Sequence, residues 1–129
     1  KDTVYLSPAG HVFELMSRSP AAWPLAIEPS DPHENVVAQV AWNESRTKLC
    51  IVVLNYNATR VPLRVDLGQL GREFRDSALT VMRAESLTAY NTPEQQCVIE
   101  REDSVTQLSE PHGFRISVPP FSLVHAVLE

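Results

Sequence analysis

Cysteine and concentrated positive charge are both scarce in this chain of 129 residues. Cys50 and Cys97 are too few for a disulfide scaffold and too far apart for the CxxC spacing of zinc ribbons or redox sites. Cys50 lies inside an apolar strand and reads as a buried thiol rather than half of a bridge. The 11 basic residues are outnumbered by 16 acidic ones, for a net charge of −5. No lysine- or arginine-rich run could release counterions from a phosphate backbone, so nucleic acid is not an expected partner. No stretch approaches the ~20 consecutive apolar residues that a membrane helix needs, so no membrane contact is expected either. The opening Lys1-Asp2-Thr3-Val4-Tyr5 does not resemble a signal peptide. It runs into Tyr5-Leu6-Ser7-Pro8 as the interior of a longer chain would, which leaves secreted or cytoplasmic localisation to the parent.

Signals for catalysis and cofactors are equally thin. His11, His33, His112 and His125 are scattered, without the close spacing on one helix or strand that metal ligation uses. There is no Gly-x-Ser-x-Gly elbow and no glycine-rich phosphate loop. The expectation is therefore no metal, no cofactor and no serine nucleophile.

What is present is enough chain for one domain, able to bury roughly two-thirds of the surface its unfolded form exposes. It divides into three stretches. In residues 1–19, Ser7 can cap a helix that Pro8 starts, and Val12, Phe13, Leu15 and Met16 form an apolar stripe at helical spacing. Ser19-Pro20 ends it. Residues 20–35 carry Pro20, Pro24, Pro29 and Pro32 with neither helical nor strand period, and read as an extended connector.

Residues 36–129 are β-like. Val36, Ala38, Val40 and Trp42 can share one face, and after the turn Asn43-Glu44-Ser45-Arg46 the residues Leu49, Ile51 and Val53 can oppose them, a hairpin signal. Val61, Leu63, Val65 and Leu67 alternate with Pro62, Arg64 and Asp66, predicting one buried and one wet face, with Pro62 marking an edge strand or a strand start. Further strands are expected over 78–84, 97–100, 114–118 and 122–128. The predicted class is all-β: an antiparallel two-sheet β-sandwich with one short N-terminal helix.

Several of these segments together resemble the C-terminal domain of family 51 glycoside hydrolases, the α-L-arabinofuranosidases. The apolar run Leu49 to Asn55, continuing into Tyr56-Asn57, is similar to a strand of that family that ends in Asn. The alternating strand Arg60 to Leu67, the segment Leu79-Thr80-Val81-Met82 leading to Leu87-Thr88-Ala89-Tyr90-Asn91-Thr92-Pro93-Glu94, and the closing Val118-Pro119-Pro120-Phe121-Ser122-Leu123 extend the likeness. Leu6-Ser7-Pro8 to Met16 resembles the end of the catalytic barrel's last helix region. One departure is Gln95-Gln96-Cys97, where the family usually has a proline.

The resemblance implies a jelly-roll-like sandwich whose partner is a separate (β/α)8 barrel, which this chain is too short to contain. Retaining hydrolysis needs two carboxyl groups roughly 5 to 5.5 Å apart, and the family supplies both from the barrel. The chain itself is thus expected to hold no catalytic residue. It would stabilise the barrel, or a homo-oligomer of the parent, in an enzyme that releases terminal α-L-arabinofuranosyl residues from arabinose-containing polysaccharides. An endoglucanase or xylosidase is the alternative parent. Trp42-Asn43-Glu44 copies the Asn-Glu pair of the barrel's acid/base, but it falls in a short polar turn where nothing would raise the acid's pKa by desolvation. Glu100, Glu102 and Asp103 read as a solvated loop face.

Two further sets of residues are candidates for contact. Exposed aromatic rings stack on sugar C–H groups while polar neighbours bond the hydroxyls. Trp23, Tyr56 and Tyr90, with Asn91, are the available platform for a carbohydrate-binding module with a polysaccharide partner. Packing is the competing role for each ring. Asn43-Glu44-Ser45 and Asn57-Ala58-Thr59 are N-glycosylation sequons at expected turns.

Overall fold

The computed structural model describes residues 21–26, 35–84 and 99–129. They form eight strands: β1 (Ala21–Leu25), β2 (Val36–Asn43), β3 (Leu49–Asn55), β4 (Val61–Asp66), β5 (Asp76–Ala84), β6 (Ile99–Gln107), β7 (Gly113–Val118) and β8 (Ser122–Leu128). Among the described residues the only helical element is a 3-10 turn at Gly68–Leu70. The expected helix within residues 1–19 lies outside the described residues.

Every strand pair is antiparallel. A six-stranded sheet runs β1-β2-β3-β8-β5-β6, and a two-stranded sheet pairs β4 with β7. Strand parity explains how they pack. Val36, Ala38, Val40 and Trp42 of β2 share a face with Leu49, Ile51 and Val53 of β3, and with Val124, Ala126 and Leu128 of β8. The small sheet turns Leu63, Val65, Phe114, Ile116 and Val118 onto the same core. The result is the expected two-sheet sandwich, with alternate residues of both inner faces filling the space between the layers. Phe74, from the connection after the 3-10 turn, closes one end of this core. Its ring stacks on Trp42 at 6.1 Å between centroids, and the Arg72 guanidinium covers it at 4.6 Å.

Two segments differ from the sequence expectation. Ala21–Leu25, within the stretch read as an extended connector, is extended but is also hydrogen-bonded to β2 as an edge strand. Pro24 fits there because an edge strand can spare a donor. The acidic segment read as a loop face belongs instead to β6, the opposite edge, where Glu102 pairs with Val81 and Asp103 with Thr80. Both acids remain solvent-facing, as an edge strand permits.

The outward face of the six-stranded sheet carries an apolar cluster beside Gln39, Thr80 and His125. Cys50 and Val52 of β3, Leu123 and Val127 of β8 and Met82 of β5 point away from the sandwich core, and Cys50, Met82 and Leu123 are buried there. Met82 and Leu123 form a second apolar cluster with Val52 and Leu54. Antiparallel sheets with one wet face alternate apolar and polar residues, whereas strands covered on both sides read as continuous apolar runs. Strands β3 (LCIVVLN) and β8 (SLVHAVL) are of the second kind.

Candidate functional site

The candidate residues fall at the two ends of the sandwich. At one end the β2–β3 hairpin turns through Glu44, Ser45, Arg46 and Thr47, all exposed. Asn43 organises it. Its Oδ1 accepts from the backbone N–H groups of Thr47 at 2.7 Å and Lys48 at 2.9 Å. Its Nδ2 donates to Thr47 Oγ1 at 2.9 Å and Ser45 Oγ at 3.3 Å. Arg46 takes a left-handed conformation with φ 59° to complete the turn. The Asn-Glu pair is thus a turn, and Glu44 stands on open surface.

Trp23 sits beside this turn on β1. Its indole N–H donates to the Glu44 carbonyl at 3.1 Å, and the Arg46 guanidinium lies 5.6 Å from the ring centroid. The ring is nevertheless 48% exposed. A groove of about 440 Å³ runs along β1, lined by Ala21, Ala22, Pro24, Leu25, Ala38, Gln39, Val40 and Ala41. Gln39 brings the one polar side chain in that lining, few hydrogen-bonding groups to orient a sugar.

Tyr56 occupies the opposite end. It follows Asn55, which pairs with Val36 at the start of β2, whereas Trp23 pairs with Trp42. Six residues along β2 separate these positions, roughly 20 Å of strand. The structure therefore does not bring Trp23 and Tyr56 onto one platform. Tyr90 and Asn91 lie outside the described residues, as do Cys97, His11 and His33.

The Tyr56 end is held by Asn55, which is 1% exposed. Its Nδ2 donates to the carbonyls of Thr59 at 3.1 Å, Val118 at 3.3 Å and Pro119 at 3.0 Å, and its Oδ1 accepts from Asn57 N at 2.9 Å and Asn57 Nδ2 at 3.0 Å. Asn55 ends β3 of the large sheet and Val118 ends β7 of the small one, so a single carboxamide ties the two layers together. Around it Tyr56 N donates to the Asn35 carbonyl at 2.8 Å and Phe121 N to the Asn57 carbonyl at 3.2 Å. Phe121 has φ 49°, unusual for a bulky residue and held here by Ser122 Oγ donating to the Pro119 carbonyl at 2.6 Å. In the sequence Asn55 shows only as the end of an apolar run. Its partners at 118 and 119 are distant in sequence, so local pattern could not reveal them.

Among the described residues, the carboxylate most strongly perturbed is Glu110, in the β6–β7 connection. Arg64 and Arg115 are direct cross-strand partners on the outward face of the small sheet, and Glu110 bridges them: Oε1 to Arg64, Oε2 to Arg115 Nε at 2.9 Å. Hydrogen bonds from Arg64 first, then Arg115, hold its pKa at about 2. Such a group is an anion at neutral pH and cannot serve as a general acid there. Gly113 makes the bridge fit, because a Cβ at that position would meet Glu110 Oε1 and Arg64 Nη2. His125, on the outward face of the large sheet between Val52 and Thr80, has its pKa lowered by burial. His112 lies in the exposed turn before β7. Among the described residues no three His, Cys, Asp or Glu side chains are grouped to hold a metal ion.

The profile of the Alpha-L-arabinofuranosidase C-terminal domain matches residues 1–122. The arabinose-bound α-L-arabinofuranosidase MgGH51 superimposes with a TM-score of 0.83 at 20% identity, over 98% of this chain and 20% of that one. The thermostable α-L-arabinofuranosidase from Thermotoga petrophila RKU-1 gives 0.73 at 18% identity, over 100% of this chain and 30% of that one. A more distant neighbour is Cel44A, an endoglucanase from Clostridium thermocellum, with a TM-score of 0.57 at 17% identity over 77% of this chain. This chain spans 20% of the first of these proteins and 30% of the second. No curated protein sequence matches.

Proposed function

Because the chain belongs to the Alpha-L-arabinofuranosidase C-terminal domain family, we propose that it is the non-catalytic accessory domain of a hydrolase that releases terminal α-L-arabinofuranosyl residues from arabinose-containing polysaccharides. Catalysis would reside in a (β/α)8 barrel of the parent, and this domain would pack on that barrel and stabilise it or its assembly. The observation that carries the reading is the family match over residues 1–122, together with α-L-arabinofuranosidase structures of which this chain spans only 20–30%. The carboxylates described fit the same reading, since Glu44 stands on open surface and Glu110 is locked between two guanidinium groups.

The test is hydrolysis of an aryl α-L-arabinofuranoside by the purified 129-residue chain. No turnover is expected. Turnover that persists through purification and disappears in Glu44→Gln would overturn the accessory role. Trp23 supports a second reading, a carbohydrate-binding module, because its ring is half exposed and its orientation is fixed by the bond to Glu44. Retardation in an arabinan or xylan affinity gel that Trp23→Ala abolishes would promote that reading over pure packing.

A further inference from the structure

The two sequons are distinguished by where their carboxamide nitrogens point. We propose that, when this chain passes through an N-glycosylating secretory pathway, Asn43 is the glycan acceptor and Asn57 is not. Transfer from a lipid-pyrophosphate-linked oligosaccharide forms a bond between Asn Nδ2 and the anomeric carbon of the first sugar. It breaks the bond from that carbon to the pyrophosphate oxygen, releases the lipid pyrophosphate and removes one amide proton. The product keeps a single N–H on Nδ2, so the fold must accept a sugar in place of the other.

At Asn43 it can. Both Nδ2 partners, Ser45 Oγ and Thr47 Oγ1, are on exposed residues, and these hydroxyls also bond each other at 2.9 Å. Losing the 3.3 Å bond to Ser45 leaves that hydroxyl paired and in water. The two bonds that shape the turn run to Oδ1, which glycosylation does not alter. The residues that follow, 44–47, are all exposed, so a glycan has solvent to enter.

At Asn57 the nitrogen turns inward. Nδ2 donates at 3.0 Å to Asn55 Oδ1, whose residue is 1% exposed and joins the two sheets, and the Asn57 carbonyl is occupied by Phe121 N. The one N–H that glycosylation leaves would have to keep this bond, so the sugar is confined to the other position of a nitrogen already turned toward the Asn55 staple. Both asparagines are half-buried as residues. The contrast therefore rests on the direction of Nδ2 and not on exposure alone.

The experiment is secretion of the chain from yeast, with release of the glycan by peptide N-glycosidase in heavy-oxygen water and peptide mapping. One glycan per chain is expected, with the labelled aspartate at position 43. Ser45→Ala, which removes that sequon while keeping Asn43, should abolish the gel mobility shift. Thr59→Ala, which removes the other while keeping Asn57, should leave the shift unchanged. Label at position 57, at both positions or at neither in secreted, folded chain would overturn the assignment. Recovery of folded Asn57→Gln chain with the shift intact would support it independently.

Discussion

Strands β3 and β8 bury side chains on both of their faces, whereas β4 and β7 bury one face and expose the other. The first pair forms the centre of the six-stranded sheet and the second pair forms the whole of the two-stranded sheet. The small sheet's outward face carries Arg64, Arg115 and Ser117, with Glu110 clasped over the arginines. That is a surface finished for water. The large sheet's outward face carries Val52, Leu123 and Met82, and Leu123 and Met82 are buried within the chain itself. Two layers that share one core therefore have different second faces.

The largest expected effect probes the shared core, where the sheets should behave alike. Ile51→Ala, at a fully buried site of β3, should cost about 4 kcal/mol in denaturant unfolding by loss of burial and the cavity left behind. Next is the link between the sheets. Asn55→Ala strands three carbonyls and two donors and should cost about 3 kcal/mol. A loss under ~1 kcal/mol would mean that the staple is replaced by water.

The comparison itself is tested by matched changes on the outward faces. Leu123→Lys should cost about 2 kcal/mol or more, because it places a charge in an apolar cluster, while Ser117→Lys on the small sheet should stay within about 0.5 kcal/mol. Equal effects would erase the distinction between the faces.

The smallest effect is a separation in pH. His125 has a folded pKa below its ordinary 6.5, so the unfolded chain takes up its proton first. Its contribution is fully present above about pH 6.5 and is lost as pH falls toward the folded value. Glu110 is lowered from 4.5 to about 2, so its contribution is present above 4.5 and lost as pH falls toward 2. A stability profile should show both windows. His125→Asn should remove only the upper one and Glu110→Gln only the lower.

Much of this arrangement was legible in the residues, and the exceptions share a cause. Leu49 to Asn55 and Ser122 to Leu128 announce themselves as strands because unbroken apolar runs bounded by turn residues have few alternatives. Val61 to Asp66 is legible because its period is two. Strand β6 is legible only at its start, where the strand expected over 97–100 meets it, since Glu102, Asp103, Thr106 and Gln107 face solvent at a sheet edge and carry no apolar period to detect. Strand β1 is hidden in the same way behind Pro24. At the candidate sites, the Asn43 turn follows from local sequence. The Asn55 staple and the Glu110 clasp do not, because each joins residues whose proximity only the completed sandwich creates.

The edges of the large sheet have a consequence for how the chain behaves in a crowded solution. An open sheet end is a template on which other chains can add strand by strand into insoluble assemblies. Here β1 interrupts its line of donors with Pro24, and β6 lines its border with Glu102 and Asp103, whose like charges would meet on any copy that tried to pair there in register. The same residues that conceal these strands from a pattern search would oppose strand-by-strand addition of further copies.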